Sequence, residues 1–294
     1  MSTAPTRVCF LGLGRMGLPM SLHVADKGFD LRAWNRSPRT VPARSGYTIS
    51  SSPDEAGEGA AVVITMLPDI DEVRAVCVGP DGALRRAAPG AVVVVMGTVS
   101  VPAVVALGRE LGEDGFRVVD APVSGGDVGA REARLSIMCG GEREDVETVR
   151  PVLAAMGSNV RRLGPLGAGQ LTKACNQIVV ATTLTALAEA VTLARRGGLD
   201  VSQVLDVLAD GLAGSRALEV KRDKLVSGSY APGGSAAFQH KDLGFALEAG
   251  RAEGVALPVT ALVDQLYGAM RSTGHGEEDH SGIVQVIERL SRAD

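Results

Sequence analysis

The sequence predicts an α/β N-terminal domain built on a doubly wound parallel sheet, followed by an all-α C-terminal domain. Three observations carry this. From Arg7 to about Leu163, short β-branched runs alternate with helix-like segments, the order of a βαβ series. Several of those runs are apolar at consecutive positions, as strands covered on both faces require. After Gly164 no strand pattern returns, and apolar residues recur at helical spacing. With 294 residues the chain has about twice the usual single-domain length. The change of pattern places the boundary between residues 1–164 and 165–294.

The expected strands cover residues 8–11, 31–34, 61–66, 91–95, 117–119 and 135–139. Between them, Ser52-Pro53-Asp54-Glu55 and Ser100-Val101-Pro102 set a capping side chain just before a proline, a helix start. Residues 167–196 contain no proline and end at Gly197-Gly198, a helical stop, so a helix of about 30 residues is expected there, buried for much of its length. Further helices are expected near 202–209, 215–226, 238–253, 258–271 and 282–292. There is no internal repeat or low-complexity tract.

Hydrophobic residues make up 45% and charged residues 22%, which excludes a disordered chain or a collagen-like fibre. Thirty basic residues against 34 acidic ones give a net charge of −4, which points away from nucleic acid and from an anionic membrane surface. Cys9, Cys77, Cys139 and Cys175 lie far apart in or beside apolar runs and are expected as buried thiols in a reducing compartment. Met1 to Arg7 has no basic segment leading into an apolar stretch, so the expected location is the cytoplasm. His23, His240, His275 and His280 have no metal-ligand spacing, and no metal is assigned.

Gly12-Leu13-Gly14-Arg15-Met16-Gly17 completes a strand and opens a helix, the context of a Rossmann-type dinucleotide fingerprint. Gly12 permits the tight turn, Gly14 lets the backbone approach a pyrophosphate, and Gly17 lets helix and strand pack closely. At the end of the second strand, Asn35-Arg36-Ser37 stands where NAD-selective sites place a carboxylate. Arg36 can pair with a 2′-phosphate and Ser37 adds a donor, which favours NADP, with NAD also compatible; the bland reading of Arg36 is a solvated loop charge.

Two further segments admit two readings each, and a third reads as a capped helix start. Ser124, Gly125 and Gly126 follow the strand at 117–119, and their hydroxyl and amides can bind a carboxylate or simply form a loop. Lys173 sits among apolar residues of the long helix with Gln177 one turn on; a desolvated lysine can act as acid or base, while a surface lysine with a packed stem is the alternative. His240-Lys241-Asp242 precedes an apolar stretch, and Asp242 is expected to cap a helix holding Phe245 and Leu247. Asp279-His280 reads as structural.

Together these segments resemble the β-hydroxyacid dehydrogenase family, which includes 3-hydroxyisobutyrate dehydrogenases and tartronate semialdehyde reductases. The resemblance spans nearly the whole chain: residues 12–20, Thr65-Met66-Leu67-Pro68, the 120–126 segment, Lys173 and Lys241-Asp242-Leu243 occur in the family's order. Residues 175–178, 211–215, 240–243 and 279–281 look most like the tartronate semialdehyde reductase branch. Most other branches carry asparagine where Gln177 stands. Gly97 replaces the serine usual before Thr98, and His23 occupies a position that is often asparagine.

The resemblance implies hydride transfer between a nicotinamide and the carbon of a primary alcohol or aldehyde beside a carboxylate. It makes Lys173 the catalytic acid or base. Ser124, Gly125, Gly126 and Gln177 would hold the substrate. Gly12, Leu13, Gly14, Arg15, Met16, Asn35, Arg36, Ser37, Leu67, Pro68, Thr98 and Lys241 would hold the cofactor, with the active site in the cleft between domains. The implied protein is a homodimer or homotetramer acting on a small carboxylate-bearing aldehyde or alcohol. Tartronate semialdehyde is the first substrate expected, with 3-hydroxyisobutyrate, glyoxylate or succinic semialdehyde as alternatives. A reading from another class is a cofactor-binding regulatory protein on the same fold, which needs the glycine loop but not the lysine.

Overall fold

The β-branched runs of the first half form strands whose successive side chains enter two separate apolar layers. In the structure, a computed structural model that describes residues 5–291, these strands are β1 (Arg7–Leu11), β2 (Asp30–Trp34), β3 (Tyr47–Ile49), β4 (Val62–Thr65), β5 (Val92–Val95), β6 (Arg117–Asp120), β7 (Val123–Ser124), β8 (Ser136–Gly140) and β9 (Asn159–Gly164). Phe10, Ile64, Val92 and Val94 enter one layer; Cys9, Leu11, Val63, Val93 and Val95 enter the other. Burial on both faces explains the consecutive apolar runs. Each fully buried valine or leucine contributes about 1.5–3 kcal/mol against exposure.

The strands form one sheet in the order β3-β2-β1-β4-β5-β6-β8-β7, with β9 on β8. Strands β1 to β6 pair in parallel, and the order reverses between β1 and β4, the switch point where α/β sheets bind ligands beyond the strands' carboxyl ends. The doubly wound sheet is parallel through β6, and beyond it β8 runs antiparallel to β6 and β7. Val123 and Ser124 pair directly with Ile137 and Ser136, so the chain doubles back there. The apolar run at 135–139 marks burial but carries no information on strand direction. β3, β7 and β9 were not expected. β3 has three residues and β7 two, and β9 is polar and half exposed, so none has the apolar signature.

Helices α1 (Gly17–Asp26), α2 (Pro53–Gly57), α3 (Ile70–Val78), α4 (Val101–Glu113), α5 (Gly126–Arg131) and α6 (Arg143–Leu153) connect these strands. Both expected caps form: Ser52 accepts from the Glu55 amide and Ser100 from the Ala103 amide, each worth about 1 kcal/mol.

The chain divides into two compact units, Met1–Lys173 and Ala174–Asp294. Helix α7 (Ala168–Arg196) contributes its first turns to the first unit and the rest to the second. It is long and apolar enough by composition to cross a membrane, yet half of its most apolar 18-residue window is buried inside the protein, as in a core helix. The second unit continues with α8 (Val201–Asp210), α9 (Arg216–Ser227), α10 (Ala236–Ala252), α11 (Pro258–Met270) and α12 (Val284–Leu290). Leu184 and Val191 of α7, Leu205, Leu218, Leu225, Leu243, Tyr267 and Val284 form its core. The last helix opens with a 3₁₀ turn at His280–Ile283, and its expected end, Arg292, lies outside the described residues.

Two expectations are corrected here. Asp242 is not the cap of the helix that holds Phe245 and Leu247: Ser235 caps α10, and Asp242 lies inside that helix, buried. Cys175 is exposed, because it lies two residues from buried Lys173 and therefore on another side of α7; Cys9, Cys77 and Cys139 are buried. Burial pushes the Cys77 thiol up to about 12.

Candidate active site

The glycines of the 12–17 loop differ in what surrounds them. Gly12 has φ +101°, its N–H donates to the Trp34 carbonyl at 3.0 Å, and a Cβ there would stand 2.6 Å from the Met66 carbonyl oxygen and 2.9 Å from Leu67 Cδ2. A Cβ on Gly17 would stand 1.9 Å from the Gly12 carbonyl oxygen. Packing thus dictates both. Gly14 is exposed with nothing within 4 Å of its Cβ position, so the protein itself does not need a glycine there. A backbone left bare at the start of a helix fits close approach by an anionic ligand. Arg15 and Met16 complete this turn before α1.

The end of β2 is tied to the same loop. Asn35 Oδ1 accepts from the Leu13 N–H at 2.7 Å, and its Nδ2 donates to the Ser37 carbonyl at 2.7 Å. Asn35 therefore staples the glycine loop to the second strand, a structural use that the missing negative charge did not reveal. Arg36 reaches the Glu72 carboxylate at 3.2 Å with its side chain 79% exposed. Ser37 is exposed beside it.

Leu67 and Pro68 follow β4, and Thr98 follows β5, each at a strand's carboxyl end. A Cβ on Gly97 would stand 1.8 Å from the Leu67 carbonyl oxygen, so the two loops touch backbone to backbone and no serine fits at 97 in this arrangement. His23 is turned elsewhere: its Nε2 lies 2.9 Å from the Arg131 carbonyl at the end of α5. Further along the sheet, Ser124 ends β7, and Gly125 and Gly126 follow at φ +132° and +62°, both exposed. That backbone conformation strains any residue with a side chain.

Lys173 is buried in the second turn of α7. Gln177, one turn later, is also buried, and its Nε2 donates to Asp242 Oδ2 at 2.7 Å. Asp242 Oδ1 lies 3.2 Å from Lys241 Nζ, and that ammonium stands 5.0 Å from the centre of the Phe245 ring. Motif reading singled out Lys173 and Gln177 but not Asn176. Its Oδ1 is buried with no hydrogen-bond partner, a deficit of about 1–3 kcal/mol that a ligand donor can relieve. The only signal in the sequence was its i+3 spacing from Lys173.

Two other residues escaped sequence reasoning. Gln170, buried, donates from Nε2 to the Gly97 carbonyl at 2.8 Å and accepts at Oε1 from the Val99 N–H at 3.1 Å, holding Thr98 between two bonds. Asp120, fully buried, accepts from the Gly167 and Gln170 amides at the start of α7. Burial pushes its carboxyl up to about 6, against the opposing pull of those amides. The glycine loop, the bare Gly14 and the strand-end loops suit a dinucleotide laid across the switch point.

Comparison with known proteins identifies the family. Residues 7–164 match the family profile described as the NAD-binding domain of 6-phosphogluconate dehydrogenase. Residues 167–287 match that described as the NAD-binding region of NADP-dependent 3-hydroxyisobutyrate dehydrogenase. The chain is 34% identical to the 2-hydroxy-3-oxopropionate reductase of Escherichia coli K12, over 96% of this chain and 97% of that one. It is 39% identical to a probable 3-hydroxyisobutyrate dehydrogenase-like protein of Arabidopsis thaliana, over 97% and 95%. Among solved structures, Mycobacterium tuberculosis 3-hydroxyisobutyrate dehydrogenase with L-serine superimposes with a TM-score of 0.83 at 32% identity, covering 96% of this chain and 99% of that one. The chain belongs to the β-hydroxyacid dehydrogenase family, NAD(P)-dependent oxidoreductases acting on the CH–OH group of small hydroxy acids.

Proposed function

We propose that this chain is an NADP(H)-preferring reductase of tartronate semialdehyde, working as a cytoplasmic homo-oligomer. The observation that supports this substrate best is the bond from Gln177 Nε2 to Asp242. An ionised carboxylate only accepts, so the bond orients the amide and makes its carbonyl oxygen the atom offered to a substrate. An acceptor there suits a hydroxyl beside the aldehyde. A methyl group at that point leaves the amide oxygen unpaired, at about 1–3 kcal/mol.

Ser124 and the amides of Gly125 and Gly126 hold the substrate carboxylate. Lys173 Nζ donates a proton to the carbonyl oxygen as it becomes an alkoxide, and takes the hydroxyl proton in the reverse direction. Asn176 Oδ1 is the further acceptor available one helical turn away. Gly12 to Met16, with Asn35, Leu67, Pro68, Thr98 and Lys241, hold the cofactor, and Arg36 exchanges Glu72 for a 2′-phosphate. A bound nicotinamide supplies or accepts the hydride.

A second reading, oxidation of 3-hydroxyisobutyrate or of serine, is favoured by the plant relative and by the L-serine in the mycobacterial structure. A serine amino group would meet the same Gln177 oxygen. The deciding experiment measures kcat/KM for tartronate semialdehyde, methylmalonate semialdehyde, glyoxylate, succinic semialdehyde and L-serine with both cofactors. Tartronate semialdehyde is expected to exceed the methyl-bearing aldehyde by about 10- to 100-fold. The reverse order removes the polar-pocket reading.

A further inference from the structure

The start of α7 is held by a buried carboxylate. Asp120 ends β6, and its Oδ1 and Oδ2 accept from the Gly167 and Gln170 amides at 2.7 and 2.6 Å. Two glycines clear space for it: a Cβ on Gly140 would stand 2.3 Å from Oδ1, and one on Gly169 2.7 Å from Oδ2. Gln170 then carries the connection onward, its side chain bonded to the Gly97 carbonyl and the Val99 amide on either side of Thr98. A single path therefore runs from β6 through Asp120 and Gln170 to the loop after β5. Lys173 follows Gln170 by three residues on the same helix.

A neutral cap would satisfy helix amides without burying a charge. The carboxylate does more, because two charge-assisted bonds, to the Gly167 amide just before the helix and the Gln170 amide in its first turn, set both the rotation and the axial position of the helix. Each residue of slip moves a side chain by about 1.5 Å and 100°. A displacement of about 1 Å at a reacting group can cost about 100-fold in rate.

We propose that Asp120, acting through Gln170, is a positioning residue that fixes Lys173 against the loop carrying Thr98, and that turnover falls when this carboxylate is neutralised. The inference rests on the reading of Lys173 as the proton-transfer group. Around Asp120, β5 contributes the backbone of Val95, its register partner, and α7 contributes the Gly167 and Gln170 amides with Lys173 further along. β8 contributes Cys139, whose thiol is pushed up to about 12 by burial and, next, by the Asp120 charge, so it stays neutral. Protonation turns one carboxylate oxygen into an O–H donor facing an N–H donor, and one of the two bonds is lost.

The test uses the full chain and compares wild type, Asp120→Asn, Gln170→Ala, the double variant and Lys173→Ala. The readouts are kcat against pH and cofactor affinity from quenching of Trp34, the chain's one tryptophan. Wild-type kcat should fall on the acid side with a midpoint near pH 6, and Asp120→Asn should lack that limb and run about 10- to 100-fold slower at neutral pH, with cofactor Kd and KM within about threefold. Gln170→Ala should lose kcat similarly, and the double variant should be no worse than the slower single one. A normal rate or a surviving acid limb in Asp120→Asn, or losses that multiply in the double variant, overturns the proposal. If Asp120→Asn does not fold, Gln170→Ala decides: unchanged kcat overturns it. If Lys173→Ala keeps its turnover, the reading of Lys173 has failed instead; if it is inactive while Asp120→Asn is normal, only the positioning role has.

Discussion

The first unit shapes its candidate site through the backbone, with glycines that leave side chains out and with buried Asp120 and Gln170 bonded to main-chain groups, whereas the second ties polar side chains to one another. Gly12, Gly17 and Gly97 sit where any Cβ would strike a backbone oxygen, at 2.6, 1.9 and 1.8 Å. In the second unit the comparable feature is Asp279, fully buried, which accepts from Lys221 at 2.7 Å and from the Ser281 hydroxyl and amide at 2.7 and 3.0 Å. Asp242 plays a similar part between Gln177 and Lys241. A strand-end loop presents backbone to its surroundings, so only glycine lets it come close. A helix has spent its backbone groups internally, so its interior can bind or orient only through side chains, and those must be paired to be buried.

This contrast can be broken or sharpened in four ways. The largest effect is expected from Lys173→Ala, a loss of about two to four orders of magnitude in turnover with cofactor binding retained, measured by steady-state kinetics and Trp34 quenching. Near-normal turnover would remove Lys173 from the chemistry. Next is Asp279→Ala, which removes the fully buried partner of the half-buried Lys221 ammonium and should cost about 3 kcal/mol in urea unfolding. Burial alone would raise the Asp279 carboxyl, but the charges of His280 and Lys221 hold it below the usual carboxylate range. Its contribution is therefore present above about pH 4 and drains away as acid protonates it. A variant whose midpoint matches wild type would show that the second unit does not depend on this cluster.

The third test separates glycines that packing requires from those a ligand requires. Gly17→Ala should destabilise by about 1–3 kcal/mol or more through overpacking, while Gly14→Ala should leave the thermal midpoint nearly unchanged and weaken cofactor binding about tenfold. Equal loss of stability in both would erase the distinction. The smallest effect is expected from Arg36→Ala: about tenfold higher KM for NADP(H), with KM for NAD(H) little changed, because only the former carries a 2′-phosphate. Equal changes with both cofactors would make Arg36 a loop support through Glu72.

Legibility followed the range of the interactions. The strands at 62–65 and 92–95 and the caps Ser52 and Ser100 could be read because burial on both faces and side-chain capping leave marks within a few residues. The edge strand at 159–164 could not, since an edge needs little apolar content to pair. Within the candidate site, motif order picked out positions but not their bonds. Asn35 was read for the charge it lacks, and it turns out to bridge two loops 22 residues apart. Asp120 and Gln170 were passed over because their partners lie 47 to 73 positions away. Asp242 was read as a cap because an acidic residue before an apolar stretch is a local signal for one; its partner Gln177 is 65 residues off.

The sequence by itself determined the apolar strands, the two proline-marked helix starts and the helices after residue 164, where the pattern changes from one to the other, and that a glycine turn opens the first helix. Local sterics and hydrophobic periodicity settle these within a turn or a strand of the residue concerned. Only the tertiary structure decided that β8 runs against β6, that Cys175 faces outward, that Gly14 is bare while Gly12 and Gly17 are packed, and that the start of α7 is held by a buried carboxylate. Strand direction and the partner of a buried polar group depend on which distant segment lies alongside, and apolar patterning records only that a residue is covered, not by what.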